Sequence, residues 1–231
     1  MIGGVMGKIL WVDLSTGSFE QQSIPEKVYE QLLGGMGLAA WVLDHAIPDH
    51  ADALGSENVL GFLPGLLTGT GAGMAGRWMV VGKSPLTGTW GEANCGGTLG
   101  PALKACGLDG VFFRGISPRP VYLWLADGQM ELRPADDLWG LDTHQTEKTL
   151  RQAELKRTGR EVSVACIGPA GEKQSLIAGI VNDYGRLAAR SGLGAVMGSK
   201  KLKALVASGS QSIPIHDPAE LKRLNQKFLK C

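Results

Sequence analysis

Glycine limits what this chain can become more than any other residue: it fills 34 of 231 positions, about twice its usual share of roughly 7%. The glycines follow no G-X-Y period, so a collagen-like helix is excluded. They crowd instead between short apolar runs, most densely at 67–76, 96–100 and 192–194. Glycine at such density marks tight turns, or backbone that must pack closely against something else. The remaining composition describes a globular chain. Hydrophobic residues make up 44% and charged residues 19%, which rules out a disordered or acidic solvating segment and supplies a substantial core. Twenty-three Lys and Arg against 22 Asp and Glu leave a formal charge of +1. No global field therefore draws the chain to nucleic acid or an anionic membrane.

Cys95, Cys106, Cys166 and Cys231 include no C-x-x-C spacing. That excludes a disulfide framework and is too sparse for a zinc or iron–sulfur site, so reduced thiols in a cytoplasmic protein are expected. The N-terminus has no basic region leading into an apolar stretch, and no window approaches the roughly 18 apolar residues of a membrane span. A soluble cytoplasmic protein without membrane contacts is the expectation.

Breakers and periodicity set the element order. Residues 7–14 and 18–22 form a hairpin around an Asp-, Ser- and Gly-containing turn; helices follow over 25–33 and 37–45. Strands are expected at 58–63, 77–81 and 110–114, with a Gly-opened helix at 96–106. A second hairpin, 120–126 with 129–133, turns on Asp127-Gly128. Residues 143–156 are the best amphipathic helix; strands follow at 162–167, 175–181 and 204–208, with a short Gly-bounded segment at 194–202. Asp217-Pro218 caps a terminal helix over 219–230.

The order repeats loosely at a spacing near one hundred residues. Each copy opens with a hairpin and a helix, then an apolar run (59–65; 164–169) and a strand leading to arginine: Arg77 in the first, Arg186 and Arg190 in the second. A glycine cluster before a helix follows (Gly96, Gly97 and Gly100; Gly192 and Gly194), then a lysine (Lys104; Lys200 or Lys203), a strand and a closing glycine (Gly115; Gly209). One α+β unit duplicated within a single domain accounts for this, since half the chain has too little core to stand alone. Chance likeness in a glycine-rich chain is the alternative.

Glycine clusters at helix starts present free N–H groups and the positive end of the dipole, and so suit phosphate. Two such clusters, each beside arginine with its planar bidentate donors, suit a ligand with two phosphates or two phosphorylated ligands. Each cluster alone is equally an ordinary strand-to-helix turn. Neither is a Walker A loop or a G-x-G-x-x-G fingerprint with its distant acidic partner. The four histidines are scattered, Ser84 lacks a nucleophile-elbow context, and Asp136-Asp137 sits at an expected helix start. Trp78 and Trp90 flank the first glycine-rich region as packing residues, with ring stacking on a ligand the lesser reading.

Seven stretches carry a family likeness: GKILWVDLSTG at 7–17, LGGMGLA at 33–39, GRWMVVGKSPLTG at 76–88, ANCGG at 93–97, KACGLDG at 104–110, IGPAGE at 167–172 and GLGAVMGSKKLKA at 192–204. Their ordered series resembles the N-terminal domain of aldehyde ferredoxin oxidoreductases over about residues 5–215. The resemblance implies an α+β fold, internally duplicated, with mixed sheets and short helices. Residues 1–210 would form the pterin-cofactor-binding domain and 211–231 the start of a helical C-terminal region. It further implies oxidation of aldehydes to carboxylic acids on a tungsten (or molybdenum) bis-pyranopterin, whose two phosphates are joined by Mg2+. A [4Fe–4S] cluster would then feed ferredoxin or a ferredoxin-like subunit.

Carried over by position, Arg77, Asn94, Gly96, Arg186, Leu187, Ala189 and Arg190 match cofactor-contacting residues, with Asn94 and Leu187 serving Mg2+ through backbone carbonyls. Leu187 stands where alanine is familiar and Ala189 where glycine is familiar. Ala189 would resist a positive φ, which makes the second half-site the weaker match. No catalytic residue is expected in this chain. Family enzymes run to about six hundred residues, so the chain lacks the C-x-x-C-x-x-x-C cluster ligands, and Cys231 is not expected to be one. Alone it is expected to be inactive and to pair with the missing C-terminal domains, a complementary chain or itself as a homodimer. The competing class is a non-catalytic phosphate-ligand-binding or scaffold module.

Overall fold

Alternation along the strands decides which face each one buries, and a computed structural model describing residues 2–230 shows the outcome. The first copy contains β1 (Lys8–Asp13), β2 (Ser18–Ser23), α1 (Glu26–Leu32), α2 (Met36–Ala46), β3 (Leu60–Pro64), β4 (Trp78–Lys83), β5 (Trp90–Cys95), α3 (Leu99–Ala105) and β6 (Gly110–Arg114). The second contains β7 (Val121–Ala126), β8 (Gln129–Pro134), α4 (Thr143–Thr158), β9 (Ser163–Cys166), α5 (Pro169–Glu172), β10 (Ile180–Asn182), β11 (Arg186–Ala188), α6 (Leu193–Ser199) and β12 (Leu202–Ser208). The closing helix α7 spans Pro218–Phe228.

Each copy builds a six-stranded sheet, ordered β2-β1-β6-β3-β4-β5 and β8-β7-β12-β9-β10-β11. In both, the first hairpin strand pairs parallel with the last strand (β1 with β6, β7 with β12), and every other neighbour is antiparallel. The same order and the same strand directions recur in the same places. The α+β duplication is a property of the fold.

The inner faces of the two sheets share one core. Leu10, Val12, Phe62, Trp78, Val80, Val111 and Phe113 on the first sheet join Leu123, Leu125, Ala165, Ile180, Leu205 and Ala207 on the second. Between them lie α3, through Leu99 and Leu103, and α6, through Leu193, Val196 and Met197. Alternate strand residues point outward. Ile9, Leu63, Val81 and Phe112 are covered by Leu38, Ala39 and Val42 of α2, while Val164, Cys166 and Val206 are covered by Leu150 of α4. The order of layers is thus helix, sheet, two helices, sheet, helix.

Close packing of α6 explains part of the glycine excess. All seven of its residues are buried. A Cβ on Gly194 would sit 2.6 Å from the Gly179 carbonyl oxygen, and one on Gly198 only 1.9 Å from that of Gly171. Only glycine allows this helix to approach backbone so closely.

Helix α4 carries its own start and stop signals. The Asp142 side chain accepts from the Gln145 amide at 2.7 Å, Gln145 returns the bond to the Asp142 amide, and Gly159 ends the helix at φ +70°. Asp142→Ala is expected to lower the unfolding free energy by about 1 kcal/mol. Urea titration of the variant beside the parent chain measures it, and an unchanged midpoint would remove the cap from the account.

The structure departs from the expected elements at five places. β5, β11 and α5 were not anticipated, and in place of the strand expected over 175–181 a shorter one, displaced toward the C-terminus, spans Ile180–Asn182. The terminal helix stops at Phe228 instead of running to 230. Cys231 lies outside the described residues.

Candidate functional site

Arg77 immediately precedes β4, and Asn94 sits near the end of β5, its hairpin partner. The Arg77 Nε donates to Asn94 Oδ1, and its Nη2 donates to the Asn94 carbonyl oxygen at 3.2 Å. Beside them Trp78 is fully buried, and its indole N–H donates to the Gly96 carbonyl at 3.1 Å. The β10–β11 hairpin of the second copy approaches from the other side, with β11 lying against β5. It brings Arg186 onto the Gly96–Gly97 backbone. A Cβ on Gly96 would lie 3.2 Å from Arg186 Nη1, and one on Gly97 would lie 2.3 Å from Asn182 Oδ1.

The two guanidiniums therefore converge. Burial raises the Cys95 thiol pKa, while the charges of Arg77 and Arg186 both pull it down and Asp183 adds a lesser rise. Both side chains and Asn94 are exposed. The remaining expected residues occupy the same stretch: Leu187 is 48% exposed, Ala189 and Arg190 are exposed, and Ser191 follows. The Ser191 hydroxyl accepts from the Glu92 amide and donates to the Glu92 carbonyl, both at 3.1 Å, which pins this end of the stretch to β5.

Strand register corrects the expected correspondence between copies. Trp78, at the start of β4, faces Cys95, and Ile180, at the start of β10, faces Ala188. By that count Asn94 matches Leu187 and Gly96 matches Ala189, but Arg77 matches Gly179, while Arg186 and Arg190 match Ala93 and Gly97. The arginines are not repeat partners. They meet because the two hairpins lie side by side.

At each expected helix-start anion site one amide is already engaged within the chain. The Thr98 amide before α3 is taken by Asp183 Oδ2 at 2.7 Å, and the Gly194 amide in α6 by the Ala178 carbonyl at 3.0 Å. Gly192, which caps α6, is itself buried. Exposed beside them is a face of arginines and strand-end backbone.

Sequence reasoning missed the supports of this face. Asn182 is fully buried, with its Nδ2 unpartnered behind Gly97. Asp183 and Tyr184 hold φ of +48° and +59°, a left-handed conformation costing about 1–2 kcal/mol per non-glycine residue. The Asn-Asp-Tyr-Gly run at 182–185 was the available signal, since Asn, Asp and Gly favour such turns. Among the described residues, no group of three or more His, Cys, Asp or Glu is placed to hold a metal ion. A surface cavity of about 730 Å3 lies elsewhere, beside Trp11, Glu57 and Arg114.

These features define a duplicated α+β domain that presents a convergent guanidinium face at the junction of its two copies. Residues 9–209 match the model of the aldehyde ferredoxin oxidoreductase N-terminal domain. The chain belongs to that family. It is similar to the tungsten-containing aldehyde ferredoxin oxidoreductases of Thermococcus kodakarensis and Pyrococcus furiosus, at 44% and 43% identity over 98% of its own length. It covers 36% of each of these relatives. The aliphatic sulfonate oxidoreductase WOR-like subunit of Pyrococcus furiosus is 35% identical over 97% of the chain and 38% of that protein. Among solved structures, the active site complex BamBC of benzoyl-coenzyme A reductase with 1,5-dienoyl-CoA matches with a TM-score of 0.95 at 36% identity. That match covers the whole chain and 35% of the other.

Proposed function

We propose that this domain is the cofactor platform of a tungsten-dependent (or molybdenum-dependent) oxidoreductase that converts aldehydes to carboxylic acids and delivers the electrons to ferredoxin. The observation that carries the reading is the convergence of Arg77 and Arg186 on the Asn94–Gly97 end of β5. When bound, the tungsten bis-pyranopterin supplies the redox chemistry, and the protein's part is binding, orientation and charge. The residues fit such a group. Exposed planar guanidiniums match phosphate oxygens in pairs, and the missing side chain at Gly96 leaves the space in which Arg186 lies.

Arg77, Arg186 and Arg190 bind the phosphates, while Gly96 and Ala189 allow close approach of the strand ends. The carbonyls of Asn94 and Leu187 are hard oxygen donors suited to Mg2+. A carbonyl oxygen has two lone pairs, so the Arg77 contact at 3.2 Å leaves Asn94 one to offer. Residues 1–210 form the platform and 211–231 open a helical region. The [4Fe–4S] cluster and the contact with ferredoxin belong to the other two-thirds of the longer relatives. Relatives named for aldehyde, sulfonate and benzoyl-coenzyme A chemistry share this domain, which supports assigning substrate choice to other parts of those proteins.

Calorimetry with magnesium pyrophosphate tests the arginine assignment. Arg77→Ala and Arg186→Ala are each expected to weaken binding about tenfold, the loss of one charge-assisted contact. Equal affinity in all three proteins would overturn the reading. Elemental analysis of native material purified without oxygen is expected to find tungsten or molybdenum. Material free of both metals yet active on aldehydes would defeat the cofactor assignment.

A further inference from the structure

Arg186 owes its place to a hairpin whose turn is strained and whose strain is held by two carboxylates, Asp183 and Glu147. Arg186 faces Asn182 across the β10–β11 hairpin, and Asp183 and Tyr184 between them both have positive φ. Such backbone persists only where its surroundings over-determine it. Here they do. Asp183 Oδ2 accepts from the Thr98 amide at 2.7 Å, and Oδ1 accepts from the Thr98 hydroxyl and from Arg151 Nη2, each at 2.8 Å. Arg151 Nε in turn donates to Glu147 Oε1 at 2.8 Å, and Glu147 Oε2 accepts from the Tyr184 amide at 2.8 Å. Glu147 is fully buried, and the Arg151 guanidinium lies 5.5 Å from the Tyr184 ring centroid.

Three remote segments meet at the Asp183 carboxylate: the residue before α3, the middle of α4, and the turn that leads into Arg186. Thr98 directly follows Gly96 and Gly97, the backbone on which Arg186 rests. The gap between that backbone and the Arg186 hairpin is therefore spanned by the bonds of Asp183. We infer that Asp183 is a positioning residue: it clamps the Arg186 hairpin of the second copy to the Gly96–Thr98 end of the first, and so sets where Arg186 stands relative to Arg77 for a ligand with two phosphates. The inference rests on the phosphate-binding role given to the two arginines above.

A double-mutant cycle with magnesium pyrophosphate as the probe separates positioning from general support. Asp183→Asn is the main variant, because asparagine tolerates the left-handed conformation. It nevertheless sets an NH2 group against Thr98 or Arg151. Asp183→Gly removes the carboxylate and also fits the backbone. Each is expected to weaken pyrophosphate binding about tenfold, the whole contribution of a charge-assisted Arg186 contact. In either background Arg186→Ala is then expected to cost less than about twofold further, while Arg77→Ala still costs its full tenfold.

Hydrogen exchange supplies a readout independent of the ligand. Amides of 180–188 and of Thr98 are expected to exchange at least about tenfold faster in both variants, with those of β1 and β6 unchanged. Arg186→Ala losing as much affinity in the Asp183 variants as in the parent would overturn the positioning role, and so would unaltered exchange in 180–188. A parent chain that does not bind pyrophosphate would instead sink the phosphate reading, and exchange alone would then decide whether Asp183 holds the hairpin.

Discussion

Lys203→Met is expected to cost about 3–5 kcal/mol of unfolding free energy, because it strips one charge from a buried pair and leaves the other behind. Lys203 is fully buried, and its ammonium donates to Glu172 Oε1 at 2.5 Å and to the Leu141 carbonyl at 2.8 Å. The Glu172 side chain is 6% exposed, and its other partner is the Gly140 amide at 2.9–3.0 Å. Without the ammonium, a carboxylate stays in the interior with a single amide to stabilise it. The double variant Lys203→Met, Glu172→Leu removes both charges and is expected to recover at least about 2 kcal/mol of the loss. Guanidinium melts of the parent, Lys203→Met, Glu172→Leu and the double variant measure the coupling. A single-variant cost below about 1 kcal/mol would show that the pair is not what holds α5 beneath β12.

Three residues earlier the opposite result is expected. Lys200 is also fully buried, but among the described residues the only hydrogen bond of its ammonium is to the Gly115 carbonyl at 3.1 Å. Burial pushes its ammonium down to about 8, against a modest upward pull from Asp13. The unfolded chain keeps that proton up to about 10.4. Below pH 8 the folded protein therefore carries a poorly compensated charge, and this cost fades as pH climbs from 8 to above 10. Lys200→Met is expected to stabilise the chain by about 2 kcal/mol at pH 7, after allowing about 1 kcal/mol for the orphaned Gly115 carbonyl. The advantage is expected to vanish or reverse by pH 10.

The comparison is between variant and parent at each pH because buried thiols also titrate. Burial raises Cys106 to about 11 and Cys166 to about 12, so both proteins lose stability alike as pH passes the ordinary thiol range. A variant no more stable than its parent at pH 7, or an advantage that does not change with pH, would refute the account of Lys200.

Much of the architecture was legible because it rests on local signals. The Asp127-Gly128 turn, with φ of +44° and +85°, joins β7 and β8 where the dipeptide indicated. Strand β6 has its expected bounds, since its apolar run is closed by Arg114 and Gly115. The duplication was visible too, although some residues matched on spacing do not match in space. Gly107 and Lys201 both take positive φ directly after α3 and α6, so Lys203 falls at the place of Asp109, and Lys104 has no lysine opposite. Spacing failed because the loop between β4 and β5 is longer than the three-residue turn 183–185. Strand β11 escaped notice, and β10 was placed too early, because three residues each are too few to show alternation and their pairing is fixed by distant bonds. Those distant bonds, from Thr98, Glu147 and Arg151, are also what no pattern of neighbours along the chain could reveal.

The sharing of α3 and α6 between two sheets carries a consequence for how such a protein arises and how it can be cut. A lone copy would leave one side of its sheet wet and apolar, so it would persist only as a twofold pair of identical subunits. Tethering the two through residues 115–120 replaces a concentration-dependent encounter with an intramolecular one. It also releases each partner from having to match the other. Severing that tether is expected to give two fragments that are insoluble apart and regain structure only when refolded together.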